Sequence, residues 1–148
     1  MLTSFTATQF EAGRKIRNTA RFMLGNLHDF DVKQHEVPYE NLKQVDKYAL
    51  HKVAQFADGV KKAYDEFAFK KVHALITSTV STTLSAFYLD LAKDRLYADK
   101  ATAVSRRAAQ TVIYHSLQSL MKTVAPIMCH LAEDIYQHLP HTDRSQAK

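Results

Sequence analysis

The chain has 148 residues, a formal net charge of +5, 24% charged residues and 46% hydrophobic residues. These values fit one globular domain, exclude an intrinsically disordered chain and, through the basic excess, suggest an anionic partner. The single cysteine, Cys129, excludes a disulfide framework and a cysteine-rich zinc site, and its apolar surroundings predict a buried, unreactive thiol.

The first predicted helix begins within the first ten residues and ends near Gly25 and Asn26, which suit a helix C-terminus. At 100° per residue, its polar and apolar side chains separate onto two faces. The polar face holds Arg14, Arg17, Asn18 and Arg21. The apolar face holds Ile16, Ala20, Met23 and Leu27. The pattern predicts an amphipathic helix with a stripe of arginines directed to solvent.

Two further helices are predicted after a loop over residues 28–40, where Pro38 and mixed charges break the periodicity. The first of them covers residues 41–66, with apolar positions at Leu42, Val45, Ala49, Val53, Phe56, Val60 and Ala63. A tight turn over residues 65–71 leads to the next, whose apolar positions are Phe69, Val72, Leu75, Ile76, Val80 and Leu84. Its middle is rich in serine and threonine and therefore has poor helix propensity.

The last part of the chain predicts a short helix within residues 87–97, a break over 98–105 and a long helix from about Ser105 to Val124. The polar stripe of that long helix is Arg107, Gln110, Tyr114 and Gln118. A last helix follows Pro126. The sum is an all-α, antiparallel bundle of about five helices. One domain spans residues 1–148, with residues 1–9 and 141–148 as frayed termini.

No catalytic or metal site is predicted. Asp90 and Asp94 share a helix face, as an acid–base pair would, but Lys93 and Arg95 beside them keep both carboxylates ionised. A structural ion network therefore explains the segment better than catalysis does. The eight histidines form no recognised metal pattern, and the chain lacks a phosphate-binding glycine loop and a nucleophile elbow. We expect no enzyme activity and no cofactor.

Basic and aromatic residues favour binding instead. Arg106 and Arg107 add to the arginines of the first helix, and Tyr88, Tyr97 and Tyr114 lie between these groups in the sequence. Guanidinium groups match phosphates, and aromatic rings stack on unpaired bases. The alternative is that the arginines are solvated and the tyrosines cap the core with their hydroxyl groups outward. Spacing leaves both interpretations open.

Several segments resemble the helical anticodon-binding domain of isoleucyl-tRNA synthetases, most closely the bacterial and mitochondrial type. The segments are RKIRNTARFMLGNL (14–27), LSAFYLDLAKDRLY (84–97), SRRAAQTVIYHSLQSLMKTVAPIMCHLAEDIYQHLP (105–140), VDKYALHKV (45–53) and AYDEFAFKKV (63–72). Together the resemblance covers about residues 10–140. It implies a bundle that packs against the inner side of the tRNA and reaches the anticodon stem-loop.

The resemblance also implies candidate RNA-binding residues. These are Arg14, Arg17, Asn18, Arg21, Lys93, Arg95, Arg106 and Arg107. An alternative for part of this set is a buried or half-buried ion network of Asp90, Asp94, Arg95 and Arg106. We favour a division in which the aspartates brace the helices, Tyr88 and Tyr97 seal the core, and Lys93 faces outward.

The family's catalytic signatures, a His-x-Gly-His motif and a Lys-Ser-Lys loop, are not found in these 148 residues. We therefore expect a non-catalytic module that binds tRNA or another structured RNA, alongside the rest of a synthetase. The alternative is a repurposed stand-alone paralogue that serves as a structural or RNA-scaffolding subunit of a larger, mitochondrial assembly with protein partners.

The resemblance favours the mitochondrial matrix over the bacterial cytoplasm. Only the first ten or so residues could serve as targeting sequence, because those from Arg14 onward belong to a packed helix, so no clear cleavable targeting peptide is expected. No apolar run approaches the roughly 20 residues that a membrane-spanning helix needs, and no membrane insertion is expected.

Overall fold

The computed structural model describes the backbone of residues 2–98, 104–126 and 129–139, without the side chains of residues 2–12, 85–87, 91, 94, 97 and 98. The described helices are α1 (Leu2–Gly25), α2 (Val32–His35), α3 (Gln44–Asp65), α4 (Phe69–Ser78), α5 (Asp90–Ala98), α6 (Val104–Val124) and α7 (Cys129–His138). A 3-10 turn covers Tyr39–Asn41. A π-helix over Thr79–Leu89 joins α4 to α5 without a break.

This architecture confirms the predicted all-α bundle. The predicted helices correspond to α1, α3, the continuous α4–π–α5 segment, α6 and α7, so the short helix predicted within residues 87–97 is not separate but continues the helix before it. The described ranges contain no strand. α1 includes residues 2–9, which the sequence analysis assigned to a frayed terminus, while residues 141–148 lie outside the described part of the chain.

Two hydrogen bonds far apart in sequence fix the direction of the helices. Gln110, near the start of α6, donates to the carbonyl of Asn26, just beyond the end of α1, over 2.8 Å. Tyr64, near the end of α3, donates to the carbonyl of Thr123 at the end of α6 over 2.9 Å. α1 is therefore antiparallel to α6, α3 runs in the same direction as α6, and the α4–π–α5 segment returns against α3.

α6 is the central helix of the bundle, since it contacts each of the other six α-helices. Thirteen of its 21 residues are buried. The polar stripe that the sequence predicts on its outside is wrong for this reason. Gln110 and Tyr114 are buried and Arg107 and Gln118 are only partly exposed, because neighbouring helices cover most of the α6 surface.

The π-helix occupies the serine- and threonine-rich stretch that has poor α-helix propensity. Three of its buried positions, Val80, Leu84 and Tyr88, recur every four residues, and Leu89 is buried beside Tyr88. The segment contacts α1 and α3 as well as its two continuations. π-helical winding is rare and accompanies functional or strained positions in many proteins. Here it continues the buried face of α4 as far as Tyr88.

Cys129 is exposed, and the predicted burial of its thiol is wrong. The buried residues of α7 are Leu131, Ala132 and Ile135. At 100° per residue, Cys129 lies about 160° from Leu131 and so faces away from the core. None of the helices in the described ranges combines the length and apolar character that a bilayer crossing requires.

α3 ends in a Schellman motif at the turn that precedes α4. The Ala68 amide donates to the Ala63 carbonyl over 2.8 Å, and the Phe67 amide donates to the Tyr64 carbonyl over 3.0 Å. Phe67 is therefore in the left-handed position, with φ 56°, which glycine normally occupies. Its side chain is 79% exposed. The turn thus holds a large ring in a backbone conformation that disfavours any Cβ atom.

We expect Phe67→Gly to have a free energy of unfolding about 1 kcal/mol higher than Phe67→Ala, since only alanine keeps the Cβ clash of the left-handed conformation. Both variants lose the ring, so the comparison isolates the backbone strain. Urea unfolding of the two variants measures the difference. Equal stability of the two would contradict a strained Phe67.

Candidate nucleic-acid interface

One face of α1 presents a continuous basic surface. Five of its side chains are exposed: Arg14, Lys15, Arg17, Asn18 and Arg21. We refer to these five residues as the α1 basic face. On the other side of the helix, Ile16, Ala20 and Met23 are buried in the core. The amphipathic prediction for the first helix is confirmed, and it places the arginines and Asn18 at the surface.

A groove lies on one side of the α1 basic face, between α1 and the junction of the π-helix with α5. It has a volume of about 560 Å³ and is lined by Arg14, Lys15, Asn18, Thr19, Phe22, Leu89 and Lys93. We name it the α1–α5 groove. Lys93 is exposed, as predicted, and its Nζ lies 3.5 Å from Oδ1 of Asp90. It adds a cation to the same surface from a second helix.

A second groove lies on the other side, between α1 and α7. It has a volume of about 570 Å³ and is lined by Arg17, Ala20, Arg21, Leu24, Gly25, His28, Leu131, Asp134, Ile135 and His138. We name it the α1–α7 groove. Its floor includes buried apolar side chains, whereas its arginines and histidines are exposed. The α1 basic face is therefore a ridge with a groove along each flank.

Arg95 is not part of this surface. Its guanidinium Nη1 donates to both carboxylate oxygens of Asp46, over 2.8 and 3.0 Å, and its side chain is 15% exposed. Asp46 is fully buried and also accepts from the Tyr88 hydroxyl over 2.9 Å and from the Lys43 amide over 3.3 Å. The group of Asp46, Tyr88 and Arg95, the Asp46 cluster, joins α3 to the π-helix and α5.

The Asp46 cluster explains the state of Tyr88. Burial raises the pKa of its hydroxyl far above the usual range, and the charge of Asp46 and the hydrogen bond to it act in the same direction. The positive charge of Arg95 opposes them. Tyr88 is therefore a neutral donor inside the core, as the interpretation of a core-sealing tyrosine requires. Tyr97 lies among the residues whose side chains are not described.

Arg106 and Arg107 also point inward, contrary to the predicted RNA-facing position. Arg106 donates to Oδ2 of Asp29 over 2.7 Å and to Oδ1 over 3.2 Å. Arg107 donates to the Asp29 carbonyl over 2.8 Å. Gln110 is buried and donates to Oδ1 of Asp29 over 2.8 Å. These residues form the Asp29 cluster, which attaches the segment after α1 to the first turns of α6.

The carboxylate of the Asp29 cluster faces two guanidinium groups. Burial by itself would raise the pKa of Asp29, but hydrogen bonds from Arg106 and Gln110, together with the positive charges of Arg106 and Arg107, lower it to about 2. Asp29 is therefore ionised at neutral pH. Its carboxylate pairs with Arg106 and Arg107. These two arginines therefore do not extend the α1 basic face.

Of the predicted ion network of Asp90, Asp94, Arg95 and Arg106, the assignment of Asp90 as a brace is wrong. Arg95 and Arg106 do lie in ion pairs, but with Asp46 and Asp29. The Asp90 side chain is 70% exposed and pairs only with Lys93 among the ion pairs of the described residues. The side chain of Asp94 lies outside the description.

The sequence pattern could have indicated the role of Asp46 but not that of Asp29. Asp46 falls in register with Leu42, Ala49 and Val53 on the apolar stripe of α3 and takes the buried position that the prediction gave to Val45, which is only partly buried. A charge in an apolar stripe signals a buried partner. Asp29 had no such signal, because it lies in an irregular segment.

The exposed part of the predicted site is cationic. No group of three or more histidine, cysteine, aspartate or glutamate side chains in the described ranges is arranged to hold a metal ion. Tyr114 is buried and accepts from Gln118 over 2.8 Å, so its ring belongs to the core. The exposed cations on α1 and Lys93 remain as the groups that a polyanion would meet.

Comparison with known proteins agrees with the predicted resemblance. The family model described as the anticodon-binding domain of tRNA ligase matches residues 46–148. Isoleucine–tRNA ligase of Thermosynechococcus vestitus is 50% identical over 127 residues, which cover 86% of this chain and 13% of that protein. The enzyme of Geobacillus kaustophilus is 48% identical over 131 residues, or 88% of this chain and 14% of that protein.

Isoleucine–tRNA ligase of Thermotoga maritima is 46% identical over 136 residues, or 92% of this chain and 15% of that protein. The chain thus spans about one-seventh of the length of these curated relatives. Both the family model and the relatives cover most of the chain. On these matches and on its helical bundle, the chain belongs to the family of anticodon-binding domains of tRNA ligases.

Proposed function

We propose that this chain binds tRNA at the anticodon stem-loop through the α1 basic face, with Lys93 as an additional contact, and that it is non-catalytic by itself. The observation that carries the proposal is the row of five exposed polar side chains, four of them cationic, on one helix between two grooves. Membership of the tRNA-ligase anticodon-binding family favours RNA as the polyanion.

The dimensions of the face suit a nucleic-acid backbone. Arg14 and Arg21 are seven positions apart, about 10 Å along the axis at 1.5 Å per residue. This length corresponds to about three nucleotides of one strand at roughly 3.4 Å each. Guanidinium groups donate two parallel hydrogen bonds to phosphate oxygens. Three arginines along α1 therefore match about three consecutive phosphates.

We expect replacement of Arg14, Arg17 and Arg21 by glutamine to weaken tRNA binding about tenfold at moderate salt. The slope of log K against log salt concentration should become shallower by about 2 to 3, because each phosphate contact contributes roughly 0.7 to 0.9 to it. Fluorescence anisotropy titrations of a labelled isoleucine tRNA, at several salt concentrations, measure both quantities.

The matched control replaces Lys61, Lys62 and Lys70 by glutamine. These lysines are exposed on the α3–α4 hairpin, and their loss changes the net charge by the same three units. We expect the control to bind tRNA nearly as the parent does. If both triple variants lose the same affinity and slope, overall charge and not the α1 basic face governs binding.

A second candidate function is the repurposed structural or RNA-scaffolding subunit, and one observation favours it. At the α3–α4 turn, the ring of Phe67 packs edge-on to Phe69 at 6.5 Å, and Phe69 packs edge-on to Tyr64 at 6.3 Å. Phe67 and Phe69 are both largely exposed. An exposed aromatic group of this kind suits contact with another protein surface.

Purification of the native chain from its source distinguishes the two functions. Recovery with tRNA or within a longer synthetase polypeptide supports the first, whereas recovery in a defined protein assembly without preference for isoleucine tRNA supports the second. The mitochondrial matrix stays our prediction for its location, and subcellular fractionation of the same material tests it.

A further inference from the structure

We propose that the α1–α7 groove is a phosphate-binding subsite whose affinity depends on pH through His28 and His138. The ligand is a phosphodiester group of the RNA, so the proposal rests on the proposed function and adds a location and a pH dependence to it. The groove combines α7, which lies within the family match over residues 46–148, with α1, which lies outside it.

The hydrogen bonds of the two histidines fix which ring nitrogen is available. Nδ1 of His28 lies 2.9 Å from the Gly25 carbonyl, and Nδ1 of His138 lies 2.7 Å from the Asp134 carbonyl. A carbonyl oxygen only accepts, so each Nδ1 carries the proton in the neutral ring. Nε2 is then unprotonated. Protonation adds an N–H donor and a positive charge at Nε2 of each ring.

Both histidines line the same groove as two arginines. Arg17 and Arg21 belong to α1, His28 follows its end, and His138 closes α7. All four side chains are exposed, so a ligand reaches them without displacing the core. Two arginines of α1, one histidine beyond its end and one histidine at the end of α7 thus line the same groove, and guanidinium and imidazolium groups are donors that suit phosphate oxygens.

The charge of the groove depends on the protonation of its two histidines. Its charged and titratable lining groups are Arg17, Arg21 and His28 on the α1 side, and Asp134 and His138 on α7. With both histidines neutral, the two arginines and Asp134 leave a net charge of +1. Imidazole side chains change charge between about pH 5 and 8. With both protonated, the net charge is +3, and the groove attracts a phosphate more strongly.

The test compares RNA binding at pH 8 and pH 6 at constant ionic strength. We expect the parent to bind a labelled isoleucine tRNA about fivefold more tightly at pH 6. His28→Gln/His138→Gln should lose most of this gain, measured as the ratio of its affinities at pH 6 and pH 8. The control, His51→Gln/His130→Gln, removes two other exposed histidines and should keep the gain.

A second measurement does not need RNA. Titration with inorganic phosphate, followed by NMR of the histidine rings, should shift the signals of His28 and His138 and leave those of His51 and His130 unchanged. If the parent binds tRNA and the two double variants show the same pH dependence, the subsite is refuted while the proposed function stands. If the parent binds no tRNA at either pH, the proposed function fails, and the phosphate titration alone decides: selective shifts support the subsite and their absence refutes it.

Discussion

Asp46→Ala is expected to lower the free energy of unfolding by about 3–5 kcal/mol, the usual loss when one partner of a buried ion pair is removed. The substitution leaves the Arg95 guanidinium and the Tyr88 hydroxyl without their acceptor inside the protein. It also opens a space between α3, the π-helix and α5. Urea unfolding at pH 7, monitored by circular dichroism, measures the change.

Asp90→Ala is the matched control, because Asp90 lies at the start of α5 and forms an ion pair with Lys93 at the surface. Asp90 and Lys93 are 70% and 54% exposed, and such pairs contribute about 0–1 kcal/mol. We expect this variant to stay within about 0.5 kcal/mol of the parent. Equal losses for the two variants would show that Asp46 does not brace the bundle.

Asp29→Asn is expected to lower the free energy of unfolding at pH 7 by about 2 kcal/mol. This value allows for solvent screening, which weakens the interactions of a partly exposed carboxylate. The amide keeps part of the hydrogen bonding to Arg106 and Gln110 but loses the charge that holds Arg106 and Arg107. A control, Asp58→Asn, changes an exposed aspartate in the middle of α3 and should have little effect.

The parent and Asp29→Asn should also differ in how their free energies of unfolding change with pH. The pKa of Asp29 is lowered from 3.8 to about 2 in the folded protein, so its stabilisation is complete above about pH 4. It declines as the pH falls from about 4 to about 2 and is absent below. The parent should therefore lose more stability than Asp29→Asn over that interval. Parallel stability curves for the two proteins between pH 4 and pH 2.5 would contradict the assignment.

Local periodicity predicted the parts of this protein that depend on neighbours along the helix. In α1, the exposed arginines and the buried Ile16, Ala20 and Met23 follow from the 100° step, whatever the helix packs against. The number of long helices and their antiparallel order also follow, because few glycines and prolines leave few places for the chain to turn. The same pattern is what identified the α1 basic face as a candidate site.

The partners of the charged side chains could not be predicted in this way. Arg95 and Asp46 are 49 positions apart, and Arg106 and Asp29 are 77 apart. Sequence spacing suggested the nearer Asp90 as the brace, since it lies on the same helix as Arg95. A pair four or five residues apart in a helix is recognisable from the sequence, whereas a pair across the bundle depends on how helices pack.

The sequence alone therefore determined the helices, their amphipathic faces and the resemblance to anticodon-binding domains, because each depends on residues close together in the chain. Only the tertiary structure decided that Arg95, Arg106 and Arg107 are enclosed in ion pairs. α6 lies in the centre of the bundle, so Arg106 and Arg107 on its first turns meet Asp29 instead of solvent. α1 lies at the edge with two grooves beside it, so its arginines remain exposed. Whether a helix is buried over most of its surface, as α6 is, or on one face only, as α1 is, depends on how the helices pack. This difference decides which cations form internal ion pairs and which a nucleic acid can reach.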